Sequence, residues 1–199
     1  MNLFDLIFPK KCLGCNKDGK YICEDCLKKV TPARCDKYNY SIFKYEGVMR
    51  KAIISLKYKF ATDIADELVD LCVRKLNSNH CFLNSILVPI PLHKHRKNWR
   101  GFNQTEVLGE KLARIMGWEF IPDLLIRTKN TQPQVGLKGL ARRSNLSNVF
   151  VVNTNHLISN HCSLVVFDDV YTTGSTILEA KKVLSEAGFK NIKSLTIAK

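Results

Sequence analysis

The chain predicts an α/β fold, a largely parallel sheet flanked by helices, with a small cysteine-stapled module ahead of it. Three observations in its 199 residues carry this expectation. Five of the eight cysteines fall within the first 35 residues. From residue 40 onward, short apolar runs alternate with stretches of helical periodicity, the order that produces a parallel sheet. Those apolar runs are continuous, as expected of strands covered on both faces.

The first 38 residues form the predicted module. They hold Cys12-x2-Cys15-x7-Cys23-x2-Cys26, two CxxC knuckles joined by a short loop. So short a segment buries too little apolar surface to fold alone and needs a staple. Each knuckle turns two thiolates toward one tetrahedral ion, and four sulfurs at about 2.3 Å close the shell of Zn²⁺ without an open position. Cys12, Cys15, Cys23 and Cys26 are therefore expected to hold a structural zinc. An iron–sulfur cluster would take the same ligands, and reduced free thiols are the plain alternative. Gly14 and Gly19 allow the turns, while Cys35, Cys72, Cys81 and Cys162 read as packing or surface thiols. The stretch from Gly14 to Tyr21 nearly spells a P-loop. Tyr21 lacks the compact hydroxyl that Mg²⁺ needs there and no buried strand precedes it, so that reading is discarded.

Residues 39–199 form the predicted second domain. Residues 41–45 read as a short strand. Residues 48–58 and 61–76 read as helices, the second aligning Ile64, Leu68, Leu71 and Cys72 on one face. Residues 86–90 form a buried strand. Residues 104–116 form a helix with Leu108, Leu112, Ile115 and Met116 at helical spacing. Residues 163–167 are a further buried strand, 175–187 a helix stopped by Gly188, and 192–198 a closing strand. Such sheets bind ligands beyond the C-terminal ends of their strands.

One strand end is the most informative place in the chain. A buried run, Leu164 to Phe167, delivers Asp168 and Asp169, followed by Val170, Tyr171, Thr172, Thr173, Gly174, Ser175 and Thr176. Amides of a glycine loop opening a helix attract phosphate, and the hydroxyls add neutral donors. Adjacent carboxylates repel unless they accept hydrogen bonds from a vicinal diol or share a hydrated Mg²⁺. Diol, phosphate and Mg²⁺ together describe a ribose 5-phosphate derivative. A strand end followed by an ordinary capped helix explains one Ser or Thr, but not this run.

Charge narrows the partners without choosing among them. Lys and Arg number 31 against 18 acidic residues, a formal net charge of +13, which suits phosphorylated metabolites, nucleic acid or an anionic membrane face. Residues 86–150 hold eleven basic and four acidic residues. Within 88–104 stand His93, Lys94, His95, Arg96, Lys97, Trp99, Arg100 and Phe102. The cations suit a pyrophosphate or a nucleic-acid backbone, and the aromatics either stack on bases or pack inside. So many cations argue against a metal on His93 or His95. No run approaches the roughly 20 apolar residues of a membrane span, and residues 1–9 lack a basic leader, so a cytoplasmic protein is expected.

The segment Asp168–Thr176 resembles the ribose-phosphate signature of type I phosphoribosyltransferases. The resemblance implies that Asp168 and Asp169 hold the ribose 2′ and 3′ hydroxyls of phosphoribosyl pyrophosphate (PRPP). It also implies that Thr172, Thr173, Gly174, Ser175 and Thr176 cradle its 5′-phosphate, with Mg²⁺. More widely, the cysteine-rich start is followed in order by VPIPL (88–92), RGFNQ (100–104), TQPQVGL (131–137), RxxN (142–145) and DDVYTTGST (168–176). That order resembles the ComF family of competence-associated proteins over essentially the whole chain. It implies a phosphoribosyltransferase-like fold behind a zinc finger. It further implies a part in handling incoming single-stranded DNA on the cytoplasmic side of the inner membrane, among DNA-uptake proteins there. The short inter-knuckle loop leaves little room for a base-reading helix, so no sequence-specific recognition is expected. The other readings are a working phosphoribosyltransferase, with Arg96, Arg100 and Lys57 toward the pyrophosphate, and a PRPP sensor without turnover. No catalytic nucleophile and no oligomeric state can be read from the residues.

Overall fold

A computed structural model describes residues 9–33, 38–58, 62–76, 82, 84–129, 149–159 and 161–199. In chain order its elements are α1 (Glu24–Leu27), β1 (Asn39–Phe43), α2 (Gly47–Tyr58), α3 (Thr62–Leu76), β2 (Ser85–Pro89), α4 (Lys94–Arg100) and α5 (Gln104–Met116). β3 (Glu119–Phe120), β4 (Leu125–Arg127), β5 (Phe150–Val152), β6 (Ser163–Val170), α6 (Ser175–Glu186) and β7 (Asn191–Ala198) follow. The main sheet runs β1-β7-β6-β2-β3, and every pairing in it is parallel. The expected fold class, a largely parallel sheet flanked by helices with a small four-cysteine module, is the one observed.

Side-chain alternation along the central strands feeds two apolar layers. Leu87, Val165 and Phe167 join Ile53, Leu68, Leu108 and Leu112 in one layer. Ile86, Val88, Leu164 and Val166 join Ile177, Ala180 and Leu184 in the other, with Leu125 and Phe150. Both faces are covered, which is why β2 is buried along its whole length and reads as a continuous apolar run.

Sheet order places the site. β2 and β6 are neighbours, yet β2 leads through α4 and α5 to β3 on one side, while β6 leads through α6 to β7 on the other. Two adjacent parallel strands whose connections leave in opposite directions open a crevice beyond their C-terminal ends. The Ile90 N–H donates to the Phe167 carbonyl at 2.8 Å and seals the floor of that crevice.

Three differences from the sequence expectation have local causes. β6 continues to Val170, because Asp168 and Val170 keep register with Thr196 and Ala198 of β7, so the acidic pair ends the strand instead of following it. The basic stretch contains a helix, α4, with no buried residue, and a helix without an apolar face leaves no periodicity to read. β4 and β5 pair antiparallel as a separate two-stranded sheet. At three residues each, they are too short to show alternation. Cys35, Cys81 and the TQPQVGL and RxxN stretches lie outside the described residues.

The N-terminal module is tied to the sheet domain. Glu67 of α3 accepts the backbone N–H groups of Tyr21 and Ile22, both at 3.0 Å. Lys51 donates to the Leu13 carbonyl at 3.0 Å, and Lys10 pairs with Asp63 at 3.0 Å. Ile22 itself belongs to the layer beneath α2 and α3.

Candidate functional site: a four-thiolate centre and an acidic crevice

The sulfurs of Cys12, Cys15, Cys23 and Cys26 all lie within 4.8 Å of one another. Cys15 and Cys23 sulfurs are 3.6 Å apart, close to the edge of a tetrahedron with metal–sulfur bonds of about 2.3 Å. Burial works to raise the Cys12 thiol, but backbone N–H groups from Cys23, Cys15 and Gly14 together outweigh it and draw it down to about 6. Cys26 is pushed up to about 12, chiefly by its hydrogen bond with Cys12, since a second bare thiolate beside the first is unfavourable. A divalent cation between them removes that conflict. Gly14 has the matching shape, because a Cβ there would lie 2.5 Å from the Cys26 sulfur. Lys29, Lys44 and Lys51 line the cleft beside Cys15 and Cys26. Zn²⁺ with four thiolates carries two net negative charges, and these ammonium groups offset them. The donor set therefore fits a closed structural zinc.

At the crevice, Asp168 and Asp169 stand on the last turn of the pleat of β6 and are treated differently. Asp169 is 5% exposed, and its Oδ2 accepts from Gln104 Nε2 at 3.2 Å. Gln104, the first residue of α5, is equally buried, and its Oε1 accepts from the Arg100 guanidinium. Asp168 is partly exposed, and its Oδ1 accepts the Asp169 N–H at 2.8 Å. On its side stands Arg127 of β4. Burial pulls that guanidinium below its usual range, Arg96 adds to this, and Asp168 opposes it. The two carboxylates are thus served by different layers of the fold.

The RGFNQ stretch builds the crevice wall. Asn103 caps α5 by accepting the Thr105 N–H at 3.2 Å. Asn103 Nδ2 and Thr105 Oγ1 both donate to the Ile90 carbonyl, at 3.1 and 2.7 Å. These bonds consume an acceptor that the end of β2 would otherwise leave unused. They also fix the start of α5, and with it Gln104, against the strand ends.

The loop after β6 is a bend through Tyr171–Gly174 that opens α6. Gly174 is the capping residue, at φ 75°, and offers no side-chain cap. The Ser175 N–H, the first of α6, donates to the Thr173 Oγ1 at 3.5 Å. Thr173 and Ser175 bond to each other through their hydroxyls. The Tyr171 ring packs against the side of Gly174 where a Cβ would stand, and Lys199 lies over that ring at 5.0 Å. Val170 and Thr176 are partly buried and Thr172 is exposed.

The basic residues predicted from sequence divide. Lys94, Lys97 and Trp99 are on the open side of α4, with Trp99 75% exposed, so it is not a packing residue here. Lys97 pairs with Glu106 at 2.9 Å. Arg96 and Arg100 are partly buried, and Arg100 serves Gln104. His93 caps α4 by accepting the His95 N–H at 3.3 Å. Partial burial, then the charges of His95, Arg127, Arg96 and Lys94, hold it below the usual range. Lys57 is on the last turn of α2, away in sequence from these, and its side chain lies outside what is described. Sequence reasoning assigned no role to Gln104 or Arg127. The first was hidden as an ordinary helix start. The second sits on a strand too short to be recognised.

Residues 3–50 match the family model of the double zinc ribbon domain. Competence protein F of Haemophilus influenzae is 29% identical over 94% of this chain and 84% of its own length. DNA utilization protein YhgH of Salmonella typhimurium is 29% identical over 86% of this chain and 74% of its own. Competence protein ComFC of Bacillus subtilis is 26% identical over 84% and 67%. Among solved structures, an adenine phosphoribosyltransferase from Trypanosoma brucei is similar with a TM-score of 0.49 and 11% identity, over 84% of this chain and 74% of that one. A likeness that distant says nothing of substrate. With residues 3–50 matching a zinc ribbon model and these relatives matched over most of its length, the chain is similar to competence protein F and ComFC, the group to which its motif order also points.

Proposed function

We propose that the crevice binds Mg²⁺-PRPP, or a related 5-phosphoribosyl ligand, in a protein of DNA uptake. The observation that supports this best is the conjunction at one place of two carboxylates and a glycine-capped bend, beyond the ends of β2 and β6 where the connections diverge. The 5′-phosphate would sit on amides of the bend and of the first turn of α6, with hydroxyls of Thr172, Thr173, Ser175 and Thr176 around it. Asp168 and Asp169 would accept the ribose hydroxyls. Mg²⁺ bound with the ligand would offset the charge of the pyrophosphate. Arg96, beside Arg127 and His93, would face the pyrophosphate side. Arg100 is better understood as part of the wall, because it already engages Gln104.

The test is calorimetric titration of the zinc-loaded protein with PRPP and Mg²⁺. Saturable binding is expected, and the double variant Asp168→Ala, Asp169→Ala should lose it while melting as a folded protein. Undiminished affinity in that variant would overturn the assignment.

A second reading concerns single-stranded DNA, held by phosphate contacts and base stacking without a base code. It is favoured by the exposed Trp99 on the basic helix α4, and by the competence and DNA-utilization names of the relatives. Partners at the cytoplasmic face of the inner membrane belong to the same reading. The two readings are compatible, with the nucleic acid on α4 and the sugar phosphate in the crevice behind it.

A further inference from the structure

We infer that Gln104 is a positioning residue for Asp169, and that Arg100 completes the arrangement from behind. The inference rests on the ligand reading of the crevice and assigns a division of labour within it.

Asp169 is a buried carboxylate at a place where its neighbour in sequence is also a carboxylate. A buried ionised group needs a partner, and a directly opposed cation would compete with the ligand for it. The structure gives Asp169 a neutral donor. Gln104 Nε2 donates to Asp169 Oδ2 at 3.2 Å, and the carbonyl end of the same amide accepts from Arg100. The amide is thereby locked in one orientation, with its NH₂ toward the carboxylate. A guanidinium polarises it from the far end, and hydrogen bonds in such a chain strengthen one another. The amide links the Arg100 guanidinium to Asp169 through two hydrogen bonds.

The amide cannot drift, because α5 is pinned at its first turn. Asn103 and Thr105, on either side of Gln104, both bond the Ile90 carbonyl at the end of β2. Asp169 is on β6, the strand next to β2. The RGFNQ stretch therefore joins the two strands that flank the crevice and sets one carboxylate between them. Asp168, partly exposed, accepts the Asp169 N–H and stands beside Arg127 on the other side of the strand.

The test uses the full zinc-loaded chain and two probes, Mg²⁺-PRPP and inorganic phosphate. Gln104→Met keeps the length of the side chain and removes both polar ends. Gln104→Glu keeps the shape and turns the donor toward Asp169 into an acceptor. Arg100→Gln, at a less buried position, removes the charge behind Gln104. Loss of a hydrogen bond to a charged group corresponds to about tenfold in affinity. The expectation is that Gln104→Met weakens PRPP about tenfold, Gln104→Glu weakens it more, and Arg100→Gln weakens it less. Inorganic phosphate, which needs only the bend, should bind each variant as it binds the parent. Unchanged PRPP affinity in the folded Gln104 variants would overturn the inference alone. So would an equal loss of phosphate affinity, since a general collapse of the crevice affects both probes. A parent chain that ignores PRPP would instead overturn the ligand reading, and the inference with it.

Discussion

Gly174 stands at φ 75°, in the region L side chains rarely adopt, and a Cβ there would run into the Tyr171 hydroxyl and ring. Both effects work against any substitution. Gly174→Ala should cost about 1–2 kcal/mol for the backbone alone, and more once Tyr171 is displaced, as a melting curve would record. Its PRPP affinity should fall as well, because the bend is reshaped. Gly14 teaches a different lesson. The sequence marks it as a turn residue, but its backbone is not among those with positive φ. Its real constraint is the Cys26 sulfur at 2.5 Å from a would-be Cβ. That is a contact between two knuckles twelve residues apart, and spacing alone does not reveal it. Gly14→Ala should lower zinc content per chain, measured by metal analysis after gel filtration, while leaving the sheet domain folded. A full zinc complement would contradict the close approach.

At the scale of elements, the helices with an apolar stripe were legible to within a residue or two. α5 and α6 bury a face against the sheet, and α2 and α3 bury theirs in the apolar layer that α5 shares. α4 was not legible, because it has no buried face, and the β4–β5 pair was not, because strands of three residues are too short to show alternation. The joint between module and domain was equally invisible. It consists of one carboxylate, Glu67, receiving two backbone N–H groups from residues 45 and 46 positions away. Charged hydrogen bonds of this kind contribute about 1.5–3 kcal/mol each. Glu67→Ala should therefore destabilise the docked module by about 2 kcal/mol or more, seen as faster hydrogen exchange at Tyr21 and Ile22, while zinc content stays at one per chain. Chelating the metal should have the reverse pattern, with the module lost first and the sheet retained. A sheet domain that unfolds with the metal would show instead that the joint is essential to both.

For the whole molecule the excess of positive charge, +13, has to be placed. Part of it lies beside the thiolate centre, as Lys29, Lys44 and Lys51. Another part stands around the crevice and along α4, where Trp99 projects into solvent. If single-stranded DNA lies along α4, its affinity should fall steeply with salt, and Trp99→Ala should weaken it by about 1–3 kcal/mol. Titration of a fluorescent oligonucleotide at two salt concentrations checks both. Affinity indifferent to salt would remove the electrostatic mode. Among the described residues no helix is long and apolar enough to cross a membrane.

The cysteine spacing by itself determined the four-thiolate module, and the buried runs and helical stripes determined the class of sheet. The run from Asp168 to Thr176 marked the candidate site. These signals are local, since turn geometry, side-chain period and loop chemistry act over a few residues. Only the tertiary structure decided that β2 and β6 are neighbours with diverging connections, and that Asp169 and Asp168 answer to Gln104 and Arg127 on opposite layers. Those relations join residues 41 to 78 positions apart, and no local preference encodes which side of a strand will meet which helix.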